Sequence, residues 1–186
     1  MSSGLAARAA DVPARPRERA RIVPMLALVT MPVLAADQLS KLYISAHFKL
    51  YESVAVVPGW LDLTYTLNPG AAFSLFATMP AGFRSVFFIM LSIIAMVVLA
   101  VLLARRTTPL NSAIAFALIL GGTIGNLIDR LARGRVIDFI YFHHQRFNYP
   151  VFNIADSAIT IGVAILLLVS ILDGRRHDSV SQAGQT

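Results

Sequence analysis

Two aspartates in apolar surroundings carry the chemistry that this chain offers. Asp138 lies in Val136-Ile137-Asp138-Phe139, and Asp156 ends Phe152-Asn153-Ile154-Ala155-Asp156. A lone carboxylate charge is costly in such surroundings, and two carboxylates sharing one proton relieve that cost. Shared-proton pairs are also the working part of aspartic proteases. One ionised carboxylate takes a proton from water, and its protonated neighbour hydrogen-bonds the carbonyl under attack. Such a pair titrates as a unit, so the sequence does not assign the proton to either residue. A single aspartate at a helix end is more simply a cap or the partner of a nearby arginine. Two of them, each flanked by apolar residues, point to acid–base hydrolysis. Other chemistries have little to work with. The chain has no cysteine, hence no thiol nucleophile or thiolate metal site, and its four histidines form no His-Glu-x-x-His. The reading therefore includes no metal and no cofactor.

The elements that position the aspartates are those of a membrane protein. Of 186 residues, 56% are hydrophobic and only 14% charged, which makes the bilayer the expected solvent. Apolar runs predict four spans, at about 22–43, 83–104, 110–128 and 151–172, each near the length that crosses a hydrocarbon core. The first imitates a signal peptide, but its helical pattern runs on through Asp37-Gln38-Leu39-Ser40-Lys41. Pro32 is expected to kink it. Residues 1–21, rich in Ala, Arg and Pro, read as a disordered basic arm, and 173–186 as a tail. The net charge of +6 is concentrated in the arm, at Arg105-Arg106 and at Arg175-Arg176. This is a topology pattern, with both termini cytoplasmic, and not a nucleic-acid patch. Arg130, Arg133, Arg135 and Arg146 fall on the outer side and are expected to be functional or paired with Asp129 and Asp138.

Between the first two spans, residues 44–82 read as a small outer β-sheet. Leu61, Leu63 and Tyr65 alternate with Asp62, Thr64 and Thr66 after the Pro58-Gly59 turn, and Trp60 suits an interfacial anchor. The expected fold class is thus an all-α membrane protein of four transmembrane helices, with an outer β cradle and a short outer helical or loop segment. Asp37 and Lys41, four apart, can pair on one helix face. Asn153 and Asp156 share a face, as do Asn126 and Asp129. Asp129-Arg130 reads as a snorkelling ion pair, with Arg130 able to touch a substrate. Gly121, Gly122 and Gly125 suit close helix packing, with room for a substrate helix as the other reading. Asn68 is either a turn residue or a contact to a substrate backbone, and His143-His144 reads as a polar interfacial loop.

Five stretches together resemble the bacterial lipoprotein signal peptidase (signal peptidase II) family of aspartyl peptidases. They are Asp37-Gln38-Leu39-Ser40-Lys41, Asn68-Pro69-Gly70-Ala71-Ala72-Phe73-Ser74, Gly121-Gly122 through Gly125-Asn126-Leu127-Ile128-Asp129-Arg130, Val136-Ile137-Asp138-Phe139, and Phe152-Asn153-Ile154-Ala155-Asp156-Ser157. The resemblance implies that Asp138 and Asp156 are catalytic. It makes Asn68, Gly70, Asn126, Asp129, Arg130 and Asn153 substrate-contacting or site-shaping, with Asp37 and Lys41 in support. It implies cleavage of diacylglyceryl-modified prolipoproteins just before the modified cysteine, contact with membrane lipid, and inhibition by globomycin-type cyclic peptides. It also implies a monomer in the bacterial inner membrane with its site near the outer face. The competing reading is a small proton-coupled transporter or channel subunit. It suits intramembrane carboxylates, but it places them at the midplane, where the second and third spans carry no charge. A non-catalytic membrane scaffold is a further alternative, in which asparagine would replace either aspartate without effect.

Overall fold

The computed structural model describes residues 22–70, 80–105 and 107–183. The arm at 1–21, the Ala71-Ala72-Phe73-Ser74 part of the Asn-Pro-Gly stretch, Arg106 and the final residues 184–186 lie outside the described residues.

The first rod joins α1 (Ile22–Met25), a π-helical turn (Leu26–Thr30) and α2 (Met31–His47). Pro32 has no N–H to give to the carbonyl four residues back. The ladder absorbs the loss in the π turn just before it, where the Met31 N–H bonds Leu26 O. Then come β1 (Ser53–Val57), β2 (Leu61–Asn68), α3 (Ala81–Ala104), α4 (Leu110–Arg133), β3 (Val136–His144), β4 (Phe147–Asn148) and α5 (Ile154–Ala183). Four helices are long and apolar enough to cross a membrane: Val23–His47, Gly82–Ala104, Leu110–Arg133 and Ile154–Asp173. The expected class therefore holds, a mainly helical membrane protein with a small antiparallel sheet. On α3, apolar side chains such as Val86, Met90, Val97 and Val101 remain exposed, as suits a lipid-facing helix.

α4 is the central helix and packs against α2, α3 and α5. Its buried face is built from small residues, among them Ala113, Ala117, Gly121, Gly122 and Gly125. A Cβ on Gly122 would strike the Ala155 carbonyl of α5, and one on Gly125 would strike the Asp37 carboxylate. These glycines therefore hold α2 and α5 against α4, and the space is filled by the protein's own helices. No gap for a substrate helix is left beside them.

The second outer segment, read from sequence as helix or loop, is extended. Gly134, left-handed at φ +69°, ends α4, and its N–H bonds Arg130 O. The chain then enters β3, which pairs antiparallel with β2 in the sheet order β1-β2-β3-β4. His143 and His144 thus belong to a strand, with His143 beside Asp62 and His144 stacked on Trp60. Ile137 and Phe139 pack on Ile44 of α2, which seats the sheet on the bundle end. A bulge in β2 between Leu63 and Thr66 frees the Phe139 N–H to bond Phe152 O, so that the link into α5 joins the sheet.

Gly122→Ala is expected to destabilise the protein by about 1–3 kcal/mol through overpacking. Gly82→Ala, where a Cβ meets nothing within 4 Å, is expected to be neutral. Thermal unfolding of both variants in detergent checks the contrast.

Candidate active site

The site assembles where α2, α4, β3 and the start of α5 meet beneath the sheet. Its foundation is an ion cluster on Lys41. The Lys41 ammonium lies 2.8 Å from Asp37 Oδ2 and 2.9 Å from Asp129 Oδ2, and the three side chains are at most 1% exposed. Lys41 Nζ also donates to Asn126 Oδ1 at 3.1 Å. The carboxylates also take backbone donors, Asp37 on its other oxygen and Asp129 on the oxygen that faces Lys41. Asp37 Oδ1 accepts the Ala155 N–H of α5, and Asp129 Oδ2 accepts the Ile137 N–H of β3. The expected Asp129–Arg130 pair does not form. Adjacent helix residues point in different directions, whereas Arg133 four residues on lies over Asp129 and donates to Oδ1 at 2.8 Å.

Above this cluster stand Asp138 and Asp156, each held by amides. Apolar sequence from residue 151 predicts a helix start there and Asp156 about 7 Å inside it. Instead Phe152 pairs with Ile140 of β3, and α5 begins at Ile154. Asn153 is therefore the cap, and Asp156 lies in the first turn. The Asp156 N–H bonds Asn153 Oδ1 at 2.8 Å, and Asp156 Oδ2 accepts the Asn153 N–H at 3.4 Å, a reciprocal capping box. With its oxygen committed to the cap, Asn153 turns its Nδ2 to Asp138 Oδ1 at 2.7 Å and to Asn126 Oδ1 at 3.2 Å. Asn126 Nδ2 donates to Asp156 Oδ1 at 2.8 Å. One amide thus contacts both carboxylate residues, and a second links Asp156 to Lys41.

On the sheet side, Thr66 lies opposite Asp138, and Asn68 two residues along donates from Nδ2 to Asp138 Oδ2 at 2.8 Å. Asn68 Oδ1 accepts the Gly70 N–H at 2.8 Å, and Gly70 is left-handed at φ +97°. A Cβ on Gly70 would lie 2.5 Å from the Phe88 ring of α3. The Arg130 guanidinium sits 5.3 Å from the centre of that same ring and donates to Asn126 O at 3.3 Å. From there its charge acts on Asp156, Asp138 and Asp129.

The structure thus brings all ten sequence-selected residues to one end of the bundle, in different positions. Asp138, Asp156, Asn68, Asn126 and Asn153 form one hydrogen-bonded set, with Gly70 and Arg130 beside it. Asp37, Lys41 and Asp129 lie underneath, their charges engaged by one another and by Arg133. Sequence reasoning missed Phe88, which gives no signal on an apolar helix, whereas Arg133 was among the arginines expected to pair with Asp129 or Asp138. It also missed Asn153 as a cap. Burial pushes Asp138 up to about 7, and the neighbouring Asp156 charge adds to the rise. The Asn68 and Asn153 amides and the Lys41 ammonium pull against it.

A sequence model of the family described as signal peptidase (SPase) II matches residues 29–172. The chain is similar to a lipoprotein signal peptidase of Syntrophus aciditrophicus (strain SB), 43% identical over 148 residues, which cover 79% of this chain and 91% of the relative. It is also similar to one of Yersinia enterocolitica serotype O:8, 46% identical over 138 residues, covering 73% of this chain and 79% of that one. A solved structure described as a bacterial membrane enzyme matches with TM-score 0.72 at 32% identity, covering 82% of this chain and 90% of its own.

Lys41→Met leaves buried Asp37 without its cation and Asp129 with Arg133 alone, and is expected to cost about 3–5 kcal/mol. Arg133→Ala, which removes a half-exposed partner, is expected to cost about 1 kcal/mol or less. Unfolding in detergent separates the two. Because folding raises the Asp138 pKa, its stabilising contribution is complete below about 3.8 and is lost as pH rises through about 7. Wild type is therefore expected to lose more melting temperature between pH 5 and 8 than Asp138→Asn, which cannot titrate.

Proposed function

The chain belongs to the signal peptidase II family, and from that premise we propose that Asp138 and Asp156 are the catalytic pair with which it hydrolyses lipoprotein precursors. It is an aspartic peptidase and a multi-pass membrane protein. The similarities give no support to a proton-coupled transporter or channel subunit. In this reading the substrate is a diacylglyceryl-modified prolipoprotein, cut just before the modified cysteine. The protein works as a monomer in the bacterial inner membrane, in contact with membrane lipid. Both termini are cytoplasmic, the sheet end faces outward, and globomycin-type cyclic peptides compete for the site.

The observation that carries the reading is Asn153. Its amide nitrogen binds Asp138, while its amide oxygen and backbone N–H engage Asp156. One residue therefore sets the geometry of both carboxylates. The pair holds a single proton. Its ionised member takes a proton from water as the water attacks the scissile carbonyl, and its protonated member hydrogen-bonds the carbonyl oxygen. That proton then passes to the leaving amine. Asp138, raised to about 7, keeps a proton available near neutral pH.

The other selected residues take supporting parts. Asn126 orients Asp156 and Asn68 orients Asp138, each through a hydrogen bond of 2.8 Å. Gly70 and Arg130, both against the Phe88 ring, contact substrate beside the pair. Asp129, Asp37 and Lys41 act by positioning, since their charges are engaged by one another, by Arg133 and by backbone N–H groups. The membrane end is a sensible place for this reaction. A lipid-modified cysteine sits at the interface, so Asp156 in the first turn of α5 and Asp138 on β3 meet the scissile bond where water is available.

Cleavage of a diacylglyceryl-modified prolipoprotein by purified wild type, Asp138→Asn and Asp156→Asn tests the assignment. Both variants are expected to lose at least ~10²-fold in kcat, the scale of a lost acid–base group, while remaining folded and membrane-inserted. Full activity in either variant removes that residue from the mechanism.

A further inference from the structure

A groove of about 410 Å³ opens at Asp156 and runs along α5 past Thr160 and Ile161. Its opposite wall is aromatic: Phe142, Phe147, Tyr149 and Phe152, from β3, β4 and the link to α5. This wall is braced. Phe152 stacks on Phe142 with ring centres 6.0 Å apart and meets Tyr149 edge-on at 5.6 Å. Ile161 is half exposed, so the far end opens toward lipid.

The groove selects its occupant by what it lacks. Ser157 also lines it, but its hydroxyl already donates to Asn153 O at 2.9 Å. An extended peptide laid along aromatic rings would give up water along its whole backbone and gain as partners only the Tyr149 and Thr160 hydroxyls and the Asp156 carboxylate. A helix about 10–12 Å across needs roughly 500 Å³ for each turn, more than the groove provides. An alkyl chain needs no polar partner. At ~30 Å³ per methylene, about the share of a liquid water, roughly a dozen such groups fit.

We propose that this groove receives one acyl chain of the diacylglyceryl substrate, with the glyceryl end at Asp156. The proposal rests on the peptidase reading. The chain arrives from lipid and not from water, so little affinity comes from burying it. The gain is direction: a chain laid along α5 fixes where the modified cysteine, and hence the scissile bond, lies relative to the two carboxylates.

The test uses full-length protein in detergent and a diacylglyceryl-modified prolipoprotein with a photoreactive diazirine in mid-chain. Adducts are expected to concentrate on residues 142–152 and on Thr160 and Ile161. Adducts spread over the lipid-facing side of α3 would mean that the aromatic wall is only an interfacial anchor, and would overturn the proposal. Cleavage of the same substrate in the dark separates the two readings. Cleavage with adducts elsewhere sinks the groove alone, whereas no cleavage by wild type sinks the peptidase reading and the groove with it. Thr160→Phe narrows the groove and adds a kinetic arm. It is expected to lower the ratio of kcat/KM for long-chain over diacetyl substrates by about tenfold relative to wild type, and an unchanged ratio counts against the proposal.

Discussion

A buried ammonium between two buried carboxylates is the constraint on which the rest of this structure depends. Lys41, Asp37 and Asp129 are withdrawn from water, so every charge must be matched and every lone pair used. Meeting that demand ties four elements together. The Asp37–Lys41 pair lies on α2, and Asp129 comes from α4. Asp37 also accepts a backbone N–H of α5 on its other oxygen, and the Asp129 oxygen that meets Lys41 also accepts one of β3. The glycine at position 125 allows Asp37 to come this close to α4. A substitution that disturbs any of these contacts leaves a charge uncompensated, which is more costly than the loss of one ordinary hydrogen bond.

The asparagines carry this order upward to the two aspartates without adding charge. Asn126 accepts from Lys41 with its oxygen and donates to Asp156 with its nitrogen. Asn153 caps α5 with its oxygen and donates to Asp138 with its nitrogen. A neutral amide suits the task because it offers an acceptor to one neighbour and donors to the next, in fixed directions. Lysine or arginine in the same places would hold both aspartates ionised, and a pair that must share a proton could not then do so.

How much of this the sequence disclosed follows from the range of each interaction. Long apolar runs and the period-two stretch at 61–66 are local signals, and they were enough for the fold class. The Asp37–Lys41 contact follows from spacing on one helix. Arg130 misled because adjacency in sequence resembles a pair, whereas helix geometry gives Asp129 to Arg133. The strand at Val136–His144 is harder to read because its first residues are all buried and its partner, β2, lies far back in the chain. The cap at Asn153 depends on Phe152 being drawn into the sheet, and the aromatic wall depends on a hairpin folding back onto α5. Both are tertiary events that leave no periodic trace.

The division of labour between the two faces of the site explains why those hidden features matter. Below, ionic contacts and glycine-mediated packing hold α2, α4 and α5 at fixed separations. Above, the sheet adds Asn68 through a bulged strand and turns an aromatic wall toward α5. A wholly rigid, wholly enclosed pocket would exclude a substrate that arrives embedded in lipid. A site resting on loose helices would not hold two carboxylates around one amide. The chain resolves the conflict by burying the Lys41 ion cluster beneath the pair and leaving the apolar approach along α5 open.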